Sequence, residues 1–197
     1  IIDPFFPKPL IGIGHSMGGC LMLSAFHNHP TKFAYGILSA PMFGFKNERF
    51  LRTSSSLMNF FKKDTDYLIG SKPNMGIETP FEENDLTSDP IRYKRIQMLV
   101  RKKPSIRLWG VTNGFAKAVN KRFKIIRRKN WAEKIDTNIL IINSLNDRVV
   151  YSKKNIEMSK RLKNCELVNF DKCEHEIFME KDMHRNILWK KIDNFFS

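Results

Sequence analysis

The sequence predicts an α/β protein built on a mostly parallel sheet with flanking helices. Three observations carry that reading. The apolar run Leu10–Gly14 feeds a tight turn, then an apolar-periodic helix pattern to about His29, then a second apolar run, Phe33–Ser39. Strand, helix, strand at this spacing is a βαβ unit, so the strands are parallel and the crossover right-handed. The rhythm returns in Thr137–Asn143, Ser152–Asn164, Cys165–Phe170 and Asp182–Phe196. Between them a long block breaks it. The predicted organisation is a core of residues 1–42 and 132–197, with 43–131 a helical cap inserted over the strand ends. In parallel sheets the ligand site lies at the carboxyl ends of the strands.

Residues 1–9 are a Pro- and Phe-rich lead-in. Strand and turn occupy about Leu10–Gly18. Gly14 and Gly18 are expected there because a turn between a buried strand and a packed helix leaves little room for side chains. Pro30 stops the helix. Asn47–Lys63 reads as helical and 70–89 as irregular. Asp89-Pro90 is an N-cap with proline at the first helical position. The helix to Lys102 is expected to turn Ile91, Ile96, Leu99 and Val100 inward. Gly114–Arg128 reads as a helix with Phe115, Val119, Phe123 and Ile126 on one side. Thr137–Asn143 is continuously apolar, as a buried strand requires. Ser152 is expected to cap a helix to Asn164, and Cys165–Phe170 to be the last strand. The closing helix, Asp182–Phe196, is expected to face Met183, Ile187, Leu188, Ile192 and Phe195 inward.

The chain of 197 residues is long enough for one domain with an insertion. No apolar run approaches the roughly 18 residues of a membrane span. The first residues carry no initiator Met and no signal pattern. Cys20, Cys165 and Cys173 are an odd set without framework spacing, read as free thiols of a reducing compartment. A cytoplasmic setting follows. The net charge is +14, and from Arg92 to Lys134 fifteen Lys or Arg stand against one acid, Glu133. Such a segment is either a solvated surface or a partner for phosphates on anionic lipid or nucleic acid. With no aromatic-interleaved basic motif and no helix-turn-helix or zinc spacing, nucleic acid ranks below lipid. No metal or cofactor is expected.

Gly14-His15-Ser16-Met17-Gly18 places a serine on the turn from strand to helix. A serine there stands clear of the sheet, beside the unpaired N–H groups of the helix start, which can hold a developing oxyanion. A serine hydroxyl needs a base, and the base an orienting acid. Asp147 follows the strand within Thr137–Asn143, and His175 lies beyond the next strand. The gap is 175 − 147 = 28 residues, room for one helix and one strand. Ser16, Asp147 and His175 are therefore expected to meet at one edge of the sheet. His27, His29 and His184 lie on or beside helices. His15 sits inside the turn, and Glu174 and Glu176 are too near His175 in sequence to orient it easily.

Gly-His-Ser-Met-Gly-Gly, the Ser39-Ala-Pro-Met stretch, Asn146-Asp-Arg-Val-Val and Glu174-His-Glu resemble the α/β-hydrolases. The resemblance is strongest to bacterial lysophospholipases and monoacylglycerol lipases, and runs from Leu10 to the C-terminus. It implies Ser16 as nucleophile, His175 as general base and acid, Asp147 as its orienter, and the Met17 N–H as an oxyanion donor. It also implies a lysophospholipid or other monoacyl lipid as substrate and peripheral contact with an anionic inner membrane face. The chain departs from the pattern in one respect. The family has strands and a His-Gly loop before this turn, and that loop supplies a second oxyanion donor. Only nine residues precede Leu10. Losing one donor costs about 10²–10³ in turnover. The competing expectation is a truncated, non-catalytic fragment whose basic cap binds lipid or other anions. Within the hydrolase reading, monoacylglycerol lipase, carboxylesterase, thioesterase and serine aminopeptidase activities compete.

Overall fold

Two apolar layers sandwich a four-stranded parallel sheet. The computed structural model describes residues 10–46, 48, 64–67, 79–107 and 110–197. Its strands are β1 (Leu10–His15), β2 (Phe33–Ser39), β3 (Asn138–Ser144) and β4 (Cys165–Phe170), in the order β1-β2-β3-β4. All three pairings are parallel. The helices are α1 (Met17–Asn28), α2 (Pro90–Lys102), α3 (Asn113–Ile126), α4 (Ser152–Ser159) and α5 (Asp182–Phe196). The helix expected over 47–63 lies almost wholly outside the described residues, as do residues 70–78 of the irregular stretch 70–89.

The continuous apolar run of β3 has a simple cause. Successive side chains of a strand point to opposite faces. Ile139 and Ile141 join one buried cluster, with Leu23 and Phe26 of α1 and Phe123 and Ile126 of α3. Leu140 and Ile142 join the other, with Leu188 and Ile192 of α5. All four β3 residues are 0% exposed. β1 differs. Among the described strands it pairs only with β2, and Ile11 and Ile13 are 52% and 63% exposed.

Asp89 caps α2 as its position predicts, accepting from the Ile91 and Arg92 N–H groups at 2.9 and 3.0 Å. Four local expectations change. On α2 the buried residues are Tyr93 and Val100, while Ile91 and Leu99 are exposed. At roughly 100° per residue, Ile91 falls on the face opposite Tyr93. On α5 the inward stripe is Leu188, Ile192 and the partly buried Phe195, with Met183 and Ile187 exposed more than about a quarter-turn away. α4 stops at Ser159, because the chain turns so that Leu162 reaches the core and Arg161 meets Glu133 at 2.9 Å. Tyr151, not Ser152, is its N-cap residue, and Ser152 is buried inside the first turn.

Candidate active site

The turn after β1 is fixed from both sides. The Ser16 N–H donates to the Ser39 carbonyl and the Ser16 carbonyl accepts from the Met42 N–H, both at 2.9 Å. Ser16 is held at φ 51°, ψ −117°, a conformation costly for a side-chain-bearing residue. Gly14 makes the turn possible, since a Cβ there would lie 2.6 Å from the Gly18 carbonyl oxygen. The second close approach is at Gly19, where a Cβ would meet Pro41 at 2.8 Å, and not at Gly18, which faces open space. As the first residue of α1, Met17 presents an N–H with no acceptor inside the helix.

Asp147 sits in the turn after β3 and is 1% exposed. Its Oδ1 accepts from the Val149 and Val150 N–H groups, both at 2.8 Å, so the carboxylate cannot swing away. Oδ2 lies 2.7 Å from His175 Nδ1. His175, beyond β4 and 3% exposed, places Nε2 2.9 Å from Ser16 Oγ. With a carboxylate on Nδ1, that nitrogen donates and Nε2 is left to accept from the serine hydroxyl. The structure therefore joins the three residues expected at one edge into a single hydrogen-bonded chain.

Sequence reasoning missed the clasp behind His175. The backbone N–H groups of His175 and Glu176 donate to the carbonyls of Asp85 and Leu86, at 3.4 and 2.7 Å. The fully buried Glu180 carboxylate accepts from the Glu174 N–H at 2.7 Å and from the Ser88 hydroxyl at 2.5 Å. Arg148 does not pair with Asp147. It reaches Asp85 at 3.0 Å and Glu174 at 3.4 Å, and donates to the Asn84 carbonyl. Segment 84–89 thus straps the histidine loop in place. No sequence spacing links stretches about ninety residues apart; the one available signal was a run of acids around His175 facing an arginine after Asp147.

His15 packs beside the catalytic histidine candidate, with ring centroids 4.8 Å apart, and its Nε2 lies 3.1 Å from Glu176 Oε1. Burial pushes the Glu176 carboxyl up, but the His15 imidazole and the nearby His175 outweigh it and hold it below its ordinary value. Burial raises Glu174, against the opposing pull of Arg148. Burial also pushes the Cys20 thiol up to about 11 and those of Cys165 and Cys173 to about 12. All three cysteines are free. Among the described residues no group of three or more His, Cys, Asp or Glu could hold a metal ion. No described helix is long and apolar enough to cross a membrane.

A parallel sheet with this turn at a strand end is the architecture of the α/β-hydrolases. The profile of the serine aminopeptidase (S33) hydrolase family matches residues 3–182, and the chain belongs to that family. It is 25% identical over 187 residues to the probable lysophospholipase L2 of Haemophilus influenzae. That match takes in 94% of this chain but only 58% of the relative. Among solved structures it is similar to the monoglyceride lipase of Saccharomyces cerevisiae, at TM-score 0.70 and 19% identity, covering 95% of this chain and 64% of the other. It is also similar to the monoacylglycerol lipase of Paleococcus ferrophilus, at TM-score 0.69 and 19% identity, covering 95% and 69%. At these identities the structural likeness establishes the fold. The chain is thus an α/β-hydrolase by family and fold.

Proposed function

We propose that the chain carries the catalytic half of a serine ester hydrolase acting on monoacyl lipids, a lysophospholipase above all. The observation that carries this is the unbroken line Ser16 Oγ, His175 Nε2, His175 Nδ1, Asp147 Oδ2, with steps of 2.9 and 2.7 Å. Ser16 Oγ attacks the ester carbonyl carbon as its proton passes to His175 Nε2. The Met17 N–H stabilises the resulting oxyanion. The tetrahedral intermediate collapses, the C–O bond to the alcohol breaks, and His175 returns the proton to the leaving oxygen. Water, deprotonated by the same imidazole, then attacks the acyl-enzyme; the fatty acid departs and Ser16 recovers its proton. Asp147 stabilises the imidazolium in both halves.

The lysophospholipase reading draws support from the name of the Haemophilus relative, and the cap reading from the interruption between β2 and β3. In this proposal 43–131 is the cap. Its α2 carries exposed Ile91, Met98 and Leu99 among Arg95, Arg101 and Lys102, a surface suited to anionic lipid and to a peripheral place on a membrane. The family description favours a second reading, cleavage of N-terminal peptide bonds.

One set of assays tests these readings. Purified chain is treated with a fluorophosphonate probe and assayed for fatty acid release from lysophosphatidylcholine in anionic and in neutral vesicles. Aminoacyl para-nitroanilides are run in parallel. Stoichiometric labelling, abolished in Ser16→Ala, with faster release from anionic vesicles is the expected result. Labelling or turnover that survives Ser16→Ala sinks the assignment. Turnover of the anilides alone transfers it to the peptidase reading. A chain that neither labels nor turns over any substrate is the non-catalytic fragment.

A further inference from the structure

A cleft of about 160 Å³ opens beside Met17 between α1 and α3. Each helix lines it with one stripe. α1 contributes Met17, Cys20 and Leu21; α3 contributes Phe115, Val119 and, one turn on, Arg122. Residues at i, i+3, i+4 and i+7 share a helix face, and both stripes obey that spacing. They close on each other at their far end. Arg122 Nη1 donates to the hydroxyl of Ser24, which stands at i+7 from Met17. A rise of 1.5 Å per residue puts that closure about 10 Å along α1 from the Ser16 turn. The cleft is therefore apolar along its length and cationic where it ends.

That guanidinium is unusual among its peers. Arg92, Arg127, Arg161 and Arg185 are half-buried to a similar degree, and each meets a carboxylate. Arg122 has a neutral hydroxyl as its polar partner among the described residues. A guanidinium against apolar walls, with N–H donors that meet no carboxylate among the described residues, is a strong donor site for a carboxylate or phosphate. At roughly 30 Å³ per water-sized group, the cleft holds a chain of about five such groups.

We infer that this cleft is a subsite for a substrate limb made of a short hydrocarbon segment ending in an anion, which Arg122 pairs with while the ester carbonyl lies at Ser16. The inference rests on Ser16 being the nucleophile. The anion can lie on either side of the ester, as the far carboxylate of a dicarboxylic half-ester or as the phosphate of a lysophospholipid, and the test separates the two. Long neutral acyl chains fit the same cleft poorly, because they strip water from a cation that meets no carboxylate among the described residues.

The experiment compares kcat/KM for two ester pairs. The acyl-side pair is the mono-para-nitrophenyl ester of octanedioic acid against para-nitrophenyl octanoate. The alcohol-side pair is oleoyl lysophosphatidate against monooleoylglycerol. The expected result is a preference for the anionic member of one pair by about 10- to 100-fold, the range of a charge-assisted pair. That preference falls to near unity in Arg122→Met and is partly restored in Arg122→Lys. Lys124→Met, which removes a charge from the exposed side of the same helix, leaves it in place. The pair that responds assigns the side of the ester. No preference in either pair, or one that survives Arg122→Met, overturns the subsite. If no ester turns over, the catalytic reading fails separately, and calorimetric binding of octanoate against uncharged 1-octanol decides the subsite: tighter octanoate binding lost in Arg122→Met supports it, and equal binding overturns it.

Discussion

β1 and β3 look alike as sequence and behave oppositely as structure. Both are apolar runs that end in a residue of the proposed triad's neighbourhood, Ser16 after β1 and Asp147 after β3. β3 has a partner on each side and no exposed apolar residue from Ile139 to Ile142. β1 pairs only with β2 among the described strands, and turns Ile11 and Ile13 outward. The acid thus follows a strand paired on both sides, and the proposed nucleophile an edge strand that exposes two isoleucines. What compensates at β1 is local: the hydrogen bonds from Ser16 to Ser39 and Met42, and the tight Gly14 and Gly19 contacts. The chain spans 58% of the length of the curated relative it matches, and among the described residues β1 is an edge of the sheet.

The largest effect tests the well-supported side. Asp147→Asn keeps an oxygen that can accept from Val149 and Val150, so the turn survives, but it presents His175 with the wrong hydrogen-bond partner. We expect kcat to fall by about 10³- to 10⁴-fold with an unchanged unfolding midpoint, the loss that follows an imidazole held in the wrong tautomer. A loss under tenfold would mean that β3 places a structural acid rather than a catalytic one.

The next effect measures the contrast between the strands directly. Ile141→Ala opens a cavity inside β3 and is expected to cost about 2–5 kcal/mol in urea unfolding. Ile13→Ala is expected to stay within about 0.5 kcal/mol, as an exposed site should. Ile13→Lys is expected to lower self-association in sedimentation, since a charge blunts an apolar sheet edge. Equal losses at Ile13 and Ile141 would break the comparison, because they would mean that the outer face of β1 is covered in solution.

These contrasts also mark what the sequence made legible. The strand ends, the turn at Ser16 and the 28-residue gap from Asp147 to His175 follow from periodicity and chain order alone. Those are local signals, written within one strand and its loop. The exposed faces of α2 and α5 were not legible, because periodicity identifies apolar residues without saying which of two competing stripes finds the sheet. Leu188 and Ile192 won on α5, and Met183 and Ile187 lost. The strap from Asn84 to Asp89 was hidden for another reason. Its bonds to the histidine loop run through backbone carbonyls of Asp85 and Leu86, which any side chain could carry, and through one acid, Glu180, whose burial depends on the whole fold.

The smallest effect concerns the pair that sits between the two strands' loops, His15 at the end of β1 and Glu176 beside His175. The Glu176 carboxyl is held below its ordinary value of 4.5, chiefly by the adjacent His15 against the opposing effect of burial. A carboxyl depressed in the folded state contributes stability above its unfolded value, and that contribution is lost as pH falls through the folded value. Glu176→Gln removes the titration. Its side chain is 31% exposed, so solvent screening keeps the contribution under about 1 kcal/mol. We expect Glu176→Gln to be slightly less stable than the parent at pH 6.5 in urea unfolding, with the two curves converging as pH drops below the ordinary carboxylate range. The opposite trend, a gap that widens in acid, would mean that Glu176 is protonated against His15. The imidazole at the end of β1 would then gain no support from the histidine loop, and the local compensation argued for that strand would reduce to the Ser16 backbone bonds and the two glycine contacts.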